Sequence, residues 1–166
     1  MGDTLGLIYP HGDFVQPNLP PPDFNKDILF QTLDSFENLE INKLAIAHFG
    51  IHENPYELIN DAKENIESWL LFISNVENLS NDEASNELVN WLRRNYESLG
   101  IDSETINNYI GNGNFEMQVI GIRNYLKKGD KFYSVRKRKM EQLKIRARYL
   151  RKNKYLPLLL LLQILI

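Results

Sequence analysis

Residues 41–50 are Ile41-Asn42-Lys43-Leu44-Ala45-Ile46-Ala47-His48-Phe49-Gly50, and whether they form a strand or a helix separates an α/β chain from an all-helical one. Ile41, Leu44, Ala45, Ile46 and Ala47 form a short apolar run that stops at His48-Phe49-Gly50, and its length favours a buried strand over a helix. His48 then sits where a strand gives way to a loop. Downstream, Asn54-Pro55 opens a helix, because proline in a first turn sacrifices no hydrogen bond and Leu58, Ile59, Ala62, Ile66, Trp69, Leu70 and Ile73 form an apolar stripe. Upstream, Asn25 can cap a helix whose face carries Ile28, Leu29, Leu33 and Phe36, which predicts a helix near 25–38. At the amino terminus, Leu5-Gly6-Leu7-Ile8-Tyr9 is another short apolar run, closed by Pro10, and also reads as a buried strand. The order strand, helix, strand, helix predicts an α/β fold.

Five of the seven prolines lie between Pro10 and Phe24, including Pro20-Pro21-Pro22. Fixed φ values and missing amide donors predict an extended surface loop there. Three more helical patterns follow: Asp82 to Leu99 stopped by Gly100, Ser103 to Ile110 stopped by Gly111, and Phe115 to Lys128 stopped by Gly129. Tyr56, Trp69, Phe72 and Trp91 fall at helical spacing in apolar stripes and are expected in the core. Gly111-Asn112-Gly113-Asn114 follows a helix rather than a strand, so it reads as a helix stop and turn instead of a phosphate cradle.

Composition narrows the chemistry. With 43% hydrophobic and 25% charged residues, the 166-residue chain can bury a sizeable core, which excludes disordered and fibrous classes. The absence of cysteine excludes disulfide scaffolds, thiol nucleophiles, thiolate zinc sites and iron–sulfur clusters together. Carboxylates and three histidines remain as metal ligands. The longest apolar stretch, Leu156 to Ile166, is far short of the ~20 residues of a spanning helix. No basic region followed by an apolar segment opens the chain, so neither a leader nor a membrane span is expected, and the location expected is cytoplasmic.

Asp3 and His48 stand at the ends of the two expected strands, where sites gather in open α/β sheets, and a carboxylate with an imidazole suits zinc, manganese or iron. Gly2-Asp3-Thr4-Leu5-Gly6, then Pro20-Pro21-Pro22-Asp23-Phe24, a helix, a strand and Ala47-His48-Phe49-Gly50 before a long amphipathic helix resemble, in that order, the carboxy-terminal half of metallo-β-lactamase-fold hydrolases. The resemblance covers residues 1–75, with 76–130 as a helical extension. It implies a partial αββα sandwich. It also implies a centre of two metal ions, zinc with iron or manganese as alternatives, whose bridging hydroxide attacks an ester, thioester, lactam or phosphoester of a small-molecule substrate. Asp3 would bridge the two metals and His48 would be the last histidine ligand.

The family's His-x-His-x-Asp-His run, and a further histidine before the bridging aspartate, have no counterpart here. A catalytic zinc takes about three protein ligands plus water, so two residues cannot hold two metals. The resemblance therefore implies a truncated hydrolase, inactive unless an amino-terminal half or a second copy completes it, and no catalytic residue is assigned. Three neighbours are candidates for supporting roles. Thr4 could touch metal-bound water, His11 could line the cleft, and His52 could orient the loop around His48. Gly50 and Pro55 argue against a helix that would aim His48 and His52 at one ion.

Charge divides the chain. Residues 1–130 hold 8 Lys and Arg against 21 Asp and Glu, a balance of −13, whereas residues 131–166 hold 11 against Glu141 alone, a balance of +10. From Arg136 to Lys154, ten of nineteen residues are basic, interleaved with Met140, Leu143, Ile145, Ala147, Tyr149 and Leu150, and Leu158–Leu162 follows. Three readings are open for residues 131–166: an atypical end foreign to the preceding domain, docking against the acidic block, and contact with nucleic acid or an anionic membrane surface. The last supplies the alternative function, a non-catalytic helical binding module with a basic tail.

Overall fold

The computed structural model describes residues 3–8, 15–46 and 50–128. Five helices dominate it: α1 (Lys26–Glu37), α2 (Pro55–Asn75), α3 (Asn81–Ser98), α4 (Ser103–Gly111) and α5 (Phe115–Lys127). Between α1 and α2 lie β1 (Leu44–Ile46) and β2 (Gly50–His52), paired antiparallel with Leu44 opposite His52 and Ile46 opposite Gly50. The expected α/β class, with a partial αββα sandwich, is therefore overturned: among the described residues the sheet has two strands and the architecture is helical. Of the apolar run at 41–47, Leu44–Ile46 forms one arm of a local hairpin. Its partner, Gly50-Ile51-His52, hides from a pattern search because only one of its three residues is apolar.

Helix boundaries follow from capping chemistry. Asn25 accepts hydrogen bonds from the Asp27 and Ile28 amides, which satisfies two donors that helix geometry leaves open. Ser80 and Glu83 form a reciprocal capping box at α3, and Asp102 accepts from the Glu104 and Thr105 amides at α4. These bonds favour the ionised carboxylates, so Glu83 and Asp102 are both held below their ordinary acidity range, by Ser80 and by Thr105 respectively.

Two apolar clusters result. The larger joins the carboxy-terminal half of α2 to α3, α4 and α5 through Trp69, Leu88, Tyr109, Val119 and Tyr125, all essentially excluded from solvent. The smaller seats Leu5, Ile8 and Val15 against Leu33 of α1, Leu44 and Ile46 of β1, and Leu58, Ile59 and Ala62 of α2. Phe72 and Trp91 lie partly buried on the larger cluster with ring centroids 5.1 Å apart. Tyr56, expected in the core, is instead 41% exposed; its hydroxyl donates to the Leu39 carbonyl and accepts from the Ile41 amide at 3.2 Å. A phenol that ties down a loop end keeps its polar tip near water.

The segment before α1 also departs from expectation. Among the described residues 15–24, Val15, Gln16, Pro17, Leu19 and Phe24 are buried while Pro20, Pro22 and Asp23 stay exposed, so Pro20–Asp23 lie at the surface as expected and the first half of this stretch is a strap laid against the helices. Close approach is possible because α5 presents Gly121 to it: a Cβ there would overlap the Leu19 carbonyl oxygen and lie 3.0 Å from the Pro20 carbonyl carbon. Of Leu5–Tyr9, expected as a strand, the described residues 5–8 contribute an isolated bridge, with Leu7 and Gln16 exchanging two backbone hydrogen bonds of 2.8 Å.

Two sets of interactions lock the remaining joints. Lys26, largely buried, pairs with Glu67 at 2.6 Å and lies over the Phe30 ring, while Lys63 pairs with Asp34 at 2.6 Å and Glu37 at 2.5 Å. The Arg123 guanidinium on α5 donates to Asn81 Oδ1 at 2.6 Å and to the Val76 and Leu79 carbonyls at 3.0 and 2.8 Å. Those carbonyls belong to the turn after α2, so one buried cation ties the α2–α3 connection to α5. Burial away from water lowers the affinity of Arg123 for its proton.

Candidate metal centre

Asp3 opens a tight turn in which the Gly6 amide donates to the Asp3 carbonyl at 3.0 Å. Gly6 has φ +113°, a left-handed conformation that glycine adopts without steric cost, and a Cβ there would overlap the Gln16 carbonyl oxygen and press on Val15 Cγ1 at 2.8 Å. The turn is thus clamped by its backbone against residues 15 and 16, with Leu5 and Ile8 anchored in the smaller cluster. Asp3 and Thr4 are left exposed at its tip. Asn18 Nδ2 donates to Asp3 Oδ2 at 3.4 Å.

Asn18 is itself held from α5. Gln118, a buried residue of α5, donates through Nε2 to Asn18 Oδ1 at 3.1 Å, while its Oε1 accepts from the Leu19 amide. Neither Asn18 nor Gln118 was expected at a site. A signal for Gln118 existed, since it is a polar residue inside the apolar stripe Phe115, Val119, Ile122 of α5, and buried polar side chains are kept only where they find partners.

The expected ligands fare unequally. His48 and His11 lie outside the described residues. His52 is half-buried on β2 opposite Leu44, and its Nε2 is enclosed without a hydrogen-bond partner. A strand position, and not a loop, thus carries the histidine expected to orient its neighbours. The Asp3 turn and the hairpin meet in one cluster, because Leu5 and Ile8 on one side and Leu44 and Ile46 on the other share it. Among the described residues, no three His, Asp or Glu side chains gather closely enough to hold a metal ion. Asp3 and His52 are of a kind that metals accept, a carboxylate and an imidazole, while their number allows part of a site only.

A shallow open cleft lies near the start of α2, lined by Ile41, Asn42, Glu53, Pro55, Tyr56 and Glu57. Its rim is fixed by Lys43 and Glu53, paired at 2.7 Å across the hairpin. Farther along α2, Asp61 is pushed above its ordinary pKa first by burial and then by the charges of Glu57 and Glu64. No helix among the described residues is long and apolar enough to cross a membrane. No protein-family model matches the chain, nor does any curated protein or solved structure.

Proposed function

We propose that the chain contributes part of the metal centre of a metal-dependent hydrolase, with Asp3 and His48 as metal ligands and the remaining ligands supplied by an amino-terminal half or a second copy. The observation that carries this reading is the seating of the Asp3 turn and of β1, which precedes His48 in sequence, on one apolar cluster. A turn fixed by Gly6 and backbone pairing holds a carboxylate in place without burying it, as a ligand requires. The resemblance to metallo-β-lactamase-fold hydrolases rests on the motifs alone, since the expected sandwich is not formed. A bound metal, zinc with iron or manganese as alternatives, would supply a water of lowered pKa and a charge for a developing oxyanion. Asp3 would help bind it, Thr4 stands exposed beside Asp3, and His52 would steady the hairpin. The substrate class is a small-molecule ester, thioester, lactam or phosphoester, and the setting a cytoplasmic one.

Metal content by elemental analysis, with zinc titration of the whole chain beside Asp3→Ala and His48→Ala, tests the proposal. Near-stoichiometric zinc, lost in both variants, is the expected result. Zinc binding indifferent to both substitutions, or absent, overturns it.

A second reading is favoured by the helical architecture together with the charge split: a non-catalytic binding module whose basic segment, 136–154, contacts nucleic acid or an anionic surface. It expects binding to an oligonucleotide or to anionic vesicles that weakens steeply with salt.

A further inference from the structure

Asn112-Gly113, in the turn between α4 and α5, is the one Asn-Gly pair in the sequence. A backbone nitrogen attacks a preceding asparagine side chain most readily when it belongs to glycine, because no Cβ blocks the approach. The folded turn opposes that attack. Asn112 caps α4 at φ −96° and ψ −3°, which eclipses the Gly113 nitrogen with the nitrogen of Asn112 and turns it away from Cγ. The Gly113 N–H donates to the Ile110 carbonyl at 3.2 Å, and Asn112 Nδ2 donates to the Asn108 carbonyl at 2.9 Å. Both bonds lie at a helix end, where opening costs least, and Gly111, Asn112 and Asn114 are exposed. Gly111 closes α4 and is a weak helix former in open space, since a Cβ on it would meet nothing within 4 Å.

We propose that Asn112 is a site of spontaneous deamidation, and that opening of the α4–α5 turn sets its rate. On opening, the Gly113 nitrogen gives its proton to base and bonds to Asn112 Cγ; the Cγ–Nδ2 bond breaks, ammonia leaves, and a cyclic imide remains. Water then opens the imide at either carbonyl, giving aspartate or the isoaspartyl form, in which the main chain runs through Cβ and Cγ. The isoaspartyl form lengthens the chain by a methylene just before Asn114 and Phe115. Asn114 Oδ1 caps α5 by accepting from the Met117 amide at 3.2 Å, and Phe115 is buried against Trp69 with ring centroids 5.8 Å apart. A Cβ on Gly113 would overlap the Phe115 ring, so the turn has no slack there. The inserted methylene thus displaces the start of α5 from the larger cluster. Either product also adds a negative charge at the carboxy end of α4, where the helix dipole disfavours it.

The test incubates the full chain at mildly alkaline pH, folded and in denaturing urea, and follows residue 112 by peptide mapping that separates asparagine, aspartate and isoaspartate, with Asn112→Gln as the blank. Conversion is expected in the folded chain, more slowly than in the unfolded one. Its rate should stay flat through sub-denaturing urea, because a local opening exposes little surface. Gly111→Ala stiffens the end of α4 and should slow the folded reaction about two- to fivefold, the factor that a glycine-to-alanine change in a helix gives, while leaving the unfolded rate unchanged. The isoaspartyl form, separated by ion exchange, should melt below the parent chain. The proposal is overturned by an absence of conversion in the folded chain, by folded and unfolded rates that agree, by a rate that climbs steeply with urea, or by equal folded rates for Gly111→Ala and the parent. An unchanged melting temperature overturns the coupling to α5.

Discussion

The two apolar clusters differ in how they are held together. The larger joins four helices through interleaved aromatic and aliphatic side chains, with the Arg123 guanidinium closing the α2–α3 connection onto α5. The smaller joins a turn, a strap, a three-residue hairpin and the adjoining faces of α1 and α2. A two-stranded ribbon of that length is marginal by itself and borrows its stability from the helices beneath it. Asp3 sits on the smaller region. Binding elements are commonly drawn from the less stable parts of a fold, where a side chain can be presented without being buried. The two regions are nonetheless one structure, since the strap that carries Asn18 and Leu19 is gripped by Gln118 of the helical cluster.

The sharpest way to break this contrast is to damage the larger cluster. Trp69, 2% exposed and stacked near Phe115, should cost about 3–5 kcal/mol on replacement by alanine, measured by denaturant unfolding. Hydrogen exchange should then speed up in α3, α5 and the hairpin together, because the smaller region leans on α2. Exchange accelerated in α3 and α5 with the hairpin unaffected would show that the two regions are independent.

The joint between the regions is the next target. In Gly121→Ala the new methyl would overlap the Leu19 carbonyl, so the strap must lift from α5. The expected loss is about 1–3 kcal/mol in unfolding free energy, accompanied by weaker zinc binding because Asn18 moves with the strap. Unaltered zinc affinity in a destabilised Gly121→Ala chain would break the link between the strap and Asp3.

The smallest effect concerns charge on the smaller region. Burial, then Glu57 and Glu64, raises the Asp61 pKa above its ordinary value of 3.8, so the folded chain holds that proton more tightly than the unfolded chain does. Ionising Asp61 therefore costs stability as pH rises from 3.8 through the raised value, and the cost persists at neutral pH. Asp61→Asn should raise the melting temperature slightly at pH 7. The gain should vanish once pH falls below 3.8, where Asp61 is protonated in both states. A gain independent of pH would mean that a change in packing, and not the charge, is responsible.

The helices could be read almost to the residue. Asn25, Pro55, Gly100 and the apolar stripes carry that information locally, since caps, breakers and a 3.6-residue period act over a few neighbours. The hairpin was half legible: β1 shows as an apolar run, while Gly50, Ile51 and His52 have a strand's geometry but no strand's pattern, because β2 has an exposed, exposed, half-buried profile. Asp3 could be singled out from Gly2-Asp3-Thr4-Leu5-Gly6, but its neighbours could not. Asn18 looks like one more turn residue among prolines, and Gln118 like an imperfection in a stripe.

Local sequence signals were enough for five helices, the Asn25 cap, the missing thiol chemistry and the division of charge between residues 1–130 and 131–166. These are local or additive properties. The pairing of Leu44–Ile46 with β2, the burial of Val15, Gln16 and Leu19 beside surface prolines, and the reach of Gln118 to Asn18 and thereby Asp3 come from the tertiary fold. Each of these depends on which distant surfaces meet. An apolar run satisfies its backbone equally well in a hairpin or a larger sheet, and a glutamine's amide takes its direction from whichever donor the fold brings to it.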